Sequence, residues 1–339
     1  MEIKTLGIDL AKRSFQVHGV NGAGKAVLRK KLDRKDLIGF MAQLPTCTVL
    51  MESCATSHFW GNKFKAMGHE VKLIAAQFVK PFVKSQKNDR NDAEAIVEAG
   101  LRPSMRFVAL KDKWQQDIQC LQRARKRGVR ARTSIINQTK GLLLEYGVVV
   151  EEKGDAFRAK TLDAIEEAEN ELTPAMRTML NENIKEFDFV SHQIKLFDEE
   201  IKKIAQSSDD CKRLMAVPGV GLLGATAFVA SVGDPGVFKN GRHVASWLGL
   251  VPKQHSTGGI PRLLSITKRG DPELRALLIH GARANLLSMM RKKKKDHLSE
   301  WALALLETKG WGKTSVALAN KMARIMWHIL KYKEEYRMA

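Results

Sequence analysis

In the amino-terminal part of the chain two apolar runs each end on a carboxylate, and that placement limits the fold more than any other feature. Residues 3–10, IKTLGIDL, read as a strand that stays apolar until Asp9, and residues 48–52, TVLME, read as a buried strand that stops at Glu52. Between them residues 14–20, SFQVHGV, alternate apolar and polar positions, and the turn NGAGK leads into a further strand, AVLRKKL. These first strands form an antiparallel meander. A helix begun near Asp33 carries Leu37, Ile38, Phe40, Met41 and Leu44, and the alternation continues with a helix at 57–67, a strand at 70–75 and a helix at 92–100.

Three strands followed by helix, strand, helix, strand, helix is the order of the RNase H-like fold, an α/β layer arrangement around a mixed sheet. Asp89 and Asp92 stand at a helix start three residues apart, hence on one helical face. With Asp9 and Glu52 they make a set of hard oxygen donors suited to Mg²⁺, or Mn²⁺ in its place. A pair of such ions clamps both oxygens of an in-line phosphoryl displacement. Singly, each acid has a plainer explanation: Asp9 closes a turn, and Asp89 or Asp92 caps a helix. The order strand-Asp, strand-Glu, Asp-x-x-Asp points to a metal site.

Lys and Arg number 57 against 37 Asp and Glu, a formal charge of +20, so the surface field attracts polyanions and nucleic acid is the leading partner. Charge alone also fits a ribosome-associated protein or a merely basic one. Residues 112–145 read as one long helix on which Arg123, Arg125, Lys126, Arg127, Arg130 and Arg132 crowd together, and Gly128 is expected to kink it. On so basic a chain this face is expected to contact phosphates, where otherwise it would be a solvated helix surface.

The 339 residues, 44% of them hydrophobic, exceed one comfortable domain. Three parts are expected: 1–145, 146–210 and 211–339. The middle part is acidic and helical, and Phe187, Val190, Ile194, Phe197, Ile201 and Ile204 form a heptad seam that fits a dimerising coiled coil, or else a helix packed on its own domain. The last part is mainly helical around a Gly-rich polar loop. Cys47, Cys54, Cys120 and Cys211 show neither CxxC nor zinc spacing, which fits a reducing cytoplasm; Cys54 beside Glu52 has no ligand partners in the sequence. No segment approaches the ~18 apolar residues of a membrane span, and the amino terminus lacks an apolar export signal, so a soluble, cytoplasmic protein with no membrane partner is expected.

Two stretches of the last part carry chemistry. PGVGLLGATAF has the pattern of a helix-hairpin-helix turn, in which the amides at Gly219 and Gly221 face a phosphate; a tight interhelical turn with no ligand has the same pattern. QHSTGGIPR puts Ser256 in a Gly-containing loop followed by Arg262, Lys268 and Arg269, an arrangement that presents a hydroxyl to a phosphodiester held by cations. Taken alone, a loop serine is as a rule only a loop serine. His255 and His280 have no acidic or metal partner to make either a base, and RKKKKD at 291–296 reads as a solvated basic stretch.

LGIDLAK, MESCATSHFWG, KNDRNDAEAI, LVPKQHSTGG and ITKRGDPELRALLIHGARA, in this order and across nearly the whole chain, resemble the DEDD transposases of the IS110 family, especially its IS1111 branch, and the related Piv invertases. The resemblance implies a RuvC-like first domain, a helical linker with a coiled coil and a carboxy-terminal transposase domain bearing a serine. It implies that Asp9, Glu52, Asp89 and Asp92 bind Mg²⁺ and that Ser256 attacks DNA to give a phosphoserine link; Thr257 is a second candidate, because relatives vary between Ser-Gly and Ser-Ser-Gly here. It further implies a bridge RNA that pairs with donor and target DNA, a dimer or tetramer whose protomers share a composite site, and a bacterial or archaeal host. A RuvC-like junction nuclease would need the acids but not the serine. A scaffold that only binds nucleic acid would need neither.

Overall fold

The computed structural model describes residues 2–84, 89–257, 260, 262–292 and 296–337, the side chains of residues 89, 90 and 292 excepted. The expected meander is present: β1 (Thr5–Leu10), β2 (Ser14–Val20) and β3 (Ala26–Asp33) pair antiparallel in succession. β4 (Thr48–Glu52) joins the other side of β1 in parallel, and β5 (Glu70–Ile74) joins β4 in parallel. A two-residue β6 (Phe107–Val108), too short to signal itself in the sequence, pairs antiparallel with β5. The mixed sheet thus has six strands in the order β3-β2-β1-β4-β5-β6.

Because strand side chains alternate between faces, each face has its own core. Leu6, Ile8, Phe15, Val17, Val49, Met51 and Leu73 pack with Leu37 and Met41 of α1 (Leu37–Ala42) and with Trp60 and Phe64 of α2 (Ser57–Ala66). On the opposite face Leu50 and Ile74 pack with Val79 of α3 (Ala76–Val79) and with Ala95, Ile96 and Ala99 of α4 (Asp89–Gly100). Here α4 comes unusually close to β1. A Cβ built on Gly7 would lie 2.6 Å from the carbonyl oxygen of Ala93 and 2.5 Å from Cγ2 of Val97, so only glycine permits the approach.

By its contacts the chain divides into two compact units, Met1–Lys113 with Val232–Val237, and Trp114–Ser231 with Phe238–Ala339. The second is built on α5 (Lys113–Glu145), α6 (Asp155–Glu166), α7 (Pro174–Ser207), α8 (Asp209–Met215), α9 (Leu222–Val232), α10 (Gly241–Trp247), α11 (Pro272–Lys292) and α12 (His297–Tyr332), with a hairpin of β7 (Pro252–Gln254) and β8 (Leu263–Ile266). The long basic helix therefore groups with this unit and not with the sheet. Thr173 caps α7 by accepting from the Met176 amide at 3.2 Å, with Pro174 preset at the first helical position.

One expectation about the helices is corrected. Part of the seam on α7 packs within the chain: Phe187, Val190 and Ile194 are buried in one cluster with Ile135 and Leu143 of α5 and Phe157 of α6. Gly128 does not interrupt α5, which runs through it; a Cβ there would lie 2.9 Å from Cγ1 of Ile194, so the glycine makes room for the seam. The break falls instead at Gly310 of α12, whose φ of 73° and ψ of 172° separate two helical stretches.

Candidate functional site

Parallel pairing of β1 with β4 matches Gly7 to Leu50 and Ile8 to Met51, and one step further brings Asp9 level with Glu52. Two carboxylates thus leave the carboxyl ends of neighbouring parallel strands, where ligands bind in open α/β sheets. Asp92, in the first turn of α4 beside Ala93, joins them from the helix that crosses this face. Burial, and then the negative charge of Asp92, hold the Glu52 carboxyl above its ordinary range. Burial, then the charges of Glu52 and Asp9, push the Cys54 thiol up likewise. Asp9, Glu52 and Asp92 are therefore near enough to act on a shared neighbourhood.

Asp89 opens α4, but its side chain lies outside the described residues. Among the described residues no group of three or more His, Cys, Asp or Glu stands ready to hold a metal ion. The donors nevertheless suit one chemically. All are hard oxygens, and the mutual repulsion recorded at Glu52 is what a cation relieves.

The turn after Glu52 is tightly held. The Ser53 amide donates to the Ile74 carbonyl at 2.7 Å and the Ser57 hydroxyl to the Cys54 carbonyl at 2.8 Å, while Thr56, a β-branched residue, takes φ 72° ahead of α2. Just inside α2, His58 Nδ1 accepts from the Lys111 amide at 3.2 Å, and its pKa is lowered to about 4 by burial and then by the Lys111 charge.

In the second unit Ser256 lies just beyond β7 on an exposed hairpin, and its Oγ accepts from Gln254 Nε2 at 2.9 Å. The His255 amide donates to the Arg262 carbonyl at 2.9 Å, and Thr257 forms an isolated bridge with Ile260. Gly258, Gly259 and Pro261 lie outside the described residues, as do Lys293, Lys294 and Lys295 of the basic stretch. Ile260 and Leu263 are 74% and 65% exposed, so the hairpin that carries Ser256 also presents apolar side chains to solvent. Lys268, at φ 55°, donates its amide to Gly249, and the Arg269 carbonyl accepts from Arg275 Nη1 at 2.8 Å.

Of the six cations of α5, two are held in ion pairs, three are exposed and one is half-buried. Arg125 is bound to Asp198, and Lys126 to Glu273 at 2.6 Å, so both tie helices together. Arg123, Arg127 and Arg130, at spacings of four and three on one face, are exposed and have no ion-pair partner among the described residues; Arg132 is half-buried. Gly219 sits in the turn between α8 and α9 at φ 85°, where a Cβ would lie 2.4 Å from the Gly281 carbonyl oxygen, while Gly221 faces open space. Packing against α11 alone thus accounts for the first glycine. Gly7 is the residue of the site that motif reasoning passed over; its signal was a glycine inside an apolar strand, a sign of close backbone approach.

Residues 6–148 match the family model for DEDD transposases of IS110 elements, described as "Transposase", and residues 211–298 match that of the "Transposase IS116/IS110/IS902 family". A Pseudomonas aeruginosa protein described as "Probable family 20 transposase" is 44% identical over 338 residues, covering 99% of each chain. The "Transposase for insertion sequence element IS1111A" of Coxiella burnetii is 43% identical over 336 residues, covering 99% of this chain and 92% of its own. The chain belongs to the IS110/IS116 family of insertion-sequence transposases. The transposase also resembles that of element IS1328 from Yersinia enterocolitica, 39% identical over 325 residues and 96% of each chain. As a member of this family it is an enzyme that cleaves and transfers DNA strands, and the DEDD family matched by residues 6–148 works with divalent metal. Among the described residues no helix of the transposase is long and apolar enough to cross a membrane.

Proposed function

We propose that Asp9, Glu52, Asp89 and Asp92 form the metal-binding half of the DNA-cleaving site and that the sheet carrying them is a RuvC-like version of the RNase H fold. The observation that carries this reading is the register of β1 with β4, which brings Asp9 level with Glu52 beside the helix that bears Asp92. These residues would hold Mg²⁺, or Mn²⁺ in its place, which when bound supplies a Lewis acid for the scissile phosphate and its leaving oxygen. The linker and the hairpin-bearing part, residues 146–210 and 211–339, would then act as parts distinct from the acidic one.

Ser256 is the nucleophile in this reading. Its exposed hydroxyl attacks the phosphorus and gives up its proton, the phosphodiester bond to the 3′ oxygen breaks, and that oxygen takes up a proton in turn to become the 3′-hydroxyl retained for rejoining. Gln254 holds Oγ in place, and Arg262, Lys268 and Arg269 neutralise the phosphate. Gly221 faces DNA backbone through its amide. Arg123, Arg127 and Arg130 grip the phosphates of donor and target DNA or of a bridge RNA that supplies sequence by pairing. A homodimer or tetramer assembles acids and serine into one site. Because the acids lie in the first unit and Ser256 in the second, the acids alone also support a RuvC-like junction nuclease that leaves no adduct.

Two substitutions separate these readings. Asp9→Asn should abolish cleavage of donor and target plasmids, assayed in Mg²⁺ with RNA that copurifies; undiminished cleavage sinks the acidic site. Ser256→Ala should remove the covalent protein–DNA adduct seen on denaturing gels. Cleavage without adduct in the unaltered protein means the junction nuclease, and an adduct lost only in Thr257→Ala transfers the role to Thr257.

A further inference from the structure

Cross-strand pairing continues the acidic row outward. Asp9 faces Gln16 on β2, and Gln16 faces Lys31 on β3; in the next row Gly7 faces His18, and His18 faces Arg29. Facing residues share one side of a sheet. This is the side that α4 covers, since α4 lies against Gly7. Between the outer strands and the start of α4 lies a cavity of about 220 Å³ lined by Gln16, His18, Arg29, Lys31 and Ala93. Ala93 adjoins Asp92, and Gln16 is opposite Asp9, so the cavity opens where the acids end.

Its lining is that of an anion site. Lys31 is exposed and has no ion-pair partner among the described residues. His18 is 4% exposed, yet its Nδ1 has no hydrogen-bond partner, a cost that a buried polar atom bears only where something else satisfies it. Glu94 is the nearby acid, and it is committed: Lys84 bonds it at 2.9 Å and Arg29 approaches it at 3.6 Å. Glu98 adds a weaker negative charge at His18.

We propose that this groove holds a phosphodiester of the DNA strand that enters the carboxylate site, with Lys31 and Arg29 as the cations and Gln16 and His18 Nδ1 as neutral hydrogen-bond donors. The assignment rests on the acidic site proposed above. Strands lie ~4.8 Å apart, so Lys31 stands about 10 Å from Asp9, roughly three nucleotides along a strand that rises ~3.4 Å per nucleotide. The groove would fix the register of the strand at the acids without reading any base.

The test is methylphosphonate interference on binding, which neutralises one phosphate at a time in a donor DNA duplex spanning the cleavage point. The full-length protein, Lys31→Ala and Lys25→Ala are compared, the last removing a charge from the turn of the same hairpin. The unaltered protein and Lys25→Ala should lose affinity when a phosphate within about three nucleotides of the cut is neutralised. Lys31→Ala should be indifferent to that position, and its slope of log K against log salt should fall by about 0.9, the value of one phosphate contact. Identical interference patterns and slopes in Lys31→Ala and the unaltered protein overturn the groove. Because binding is read without cleavage, an active Asp9→Asn with the Lys31 effect intact overturns the acidic site alone.

Discussion

Replacing Gly7 by alanine should cost far more activity than stability. The new Cβ would stand 2.6 Å from the Ala93 carbonyl oxygen and 2.5 Å from Val97 Cγ2, against the ~3.5–4.0 Å of an ordinary contact. Val97 has a rotamer to surrender, but the carbonyl belongs to the backbone of α4, so the helix itself must retreat by about 1 Å. Overfilling of this kind costs ~1–3 kcal/mol, out of a stability of ~5–15 kcal/mol, so most molecules stay folded. Asp92 is covalently next to Ala93 and moves with it, and a misplacement of ~1 Å in a reacting constellation lowers rate by about 100-fold. The control is Gly100→Ala on the same helix, whose Cβ meets the side chain of Leu50, Cδ1 at 2.3 Å, which can swing aside. Urea midpoints and strand-cleavage rates measured on both variants should show similar losses of stability but a rate loss in Gly7→Ala greater by at least tenfold. Equal rate losses, or a Gly7→Ala enzyme of ordinary rate, refute the argument that this glycine sets the acids.

Two further outcomes follow from side-chain environments. His58 is held at a pKa of about 4 in the native protein against ~6.5 unfolded; as pH falls below 6.5 the unfolded chain binds a proton that the folded one refuses, so stability declines between about pH 6.5 and 4. The full shift is worth about 3 kcal/mol, and partial exposure reduces it to ~1–2 kcal/mol. His58→Asn should flatten the difference between urea midpoints at pH 7 and pH 5, and an unchanged difference contradicts the assignment. On α5, replacing Arg123, Arg127 or Arg130 by alanine should each reduce the salt slope of DNA binding by about one phosphate contact. Arg125→Ala, which frees Asp198 instead, should leave the slope nearly unaltered and lower the thermal midpoint.

What could be read from the chain before any coordinates was local. Continuous apolar runs delimit β1 and β4 and period-two alternation delimits β2, and Asp9 and Glu52 stand out because a carboxylate ending an apolar strand has to be used by something. What could not be read depends on partners distant in sequence. The seam of α7 has the spacing of a coiled coil whichever helix covers it, and only the burial of Ile194 against Gly128 identifies α5 as the cover. Arg125 and Arg127 look alike in a basic run, and the contact with Asp198, 73 positions away, separates them. β6 has two residues, too few to carry a period. Gly219 matched a phosphate-binding turn, yet the Gly281 backbone accounts for it without a ligand.

The acids themselves make a last demand on the fold. Three elements bring like charges together at one end of a sheet, and burial, then the charge of Asp92, oppose the ionisation of Glu52 and hold its carboxyl above the ordinary range. Such an arrangement destabilises the metal-free protein and is relieved by a bound cation, so Mg²⁺ should stabilise the native state by RT ln(1 + [Mg²⁺]/Kd), about 2.7 kcal/mol at one hundred times Kd. Glu52→Gln removes a half-buried charge and one donor together. Its effects should therefore run in opposite directions: a urea midpoint above that of the unaltered protein in EDTA, and a smaller rise on adding Mg²⁺. Ca²⁺ or Na⁺ at matched ionic strength separates site binding from screening of the surface. A Glu52→Gln protein less stable in EDTA and as responsive to Mg²⁺ as the original would mean that Glu52 serves the packing of the sheet, leaving the other acids to hold the ion without it.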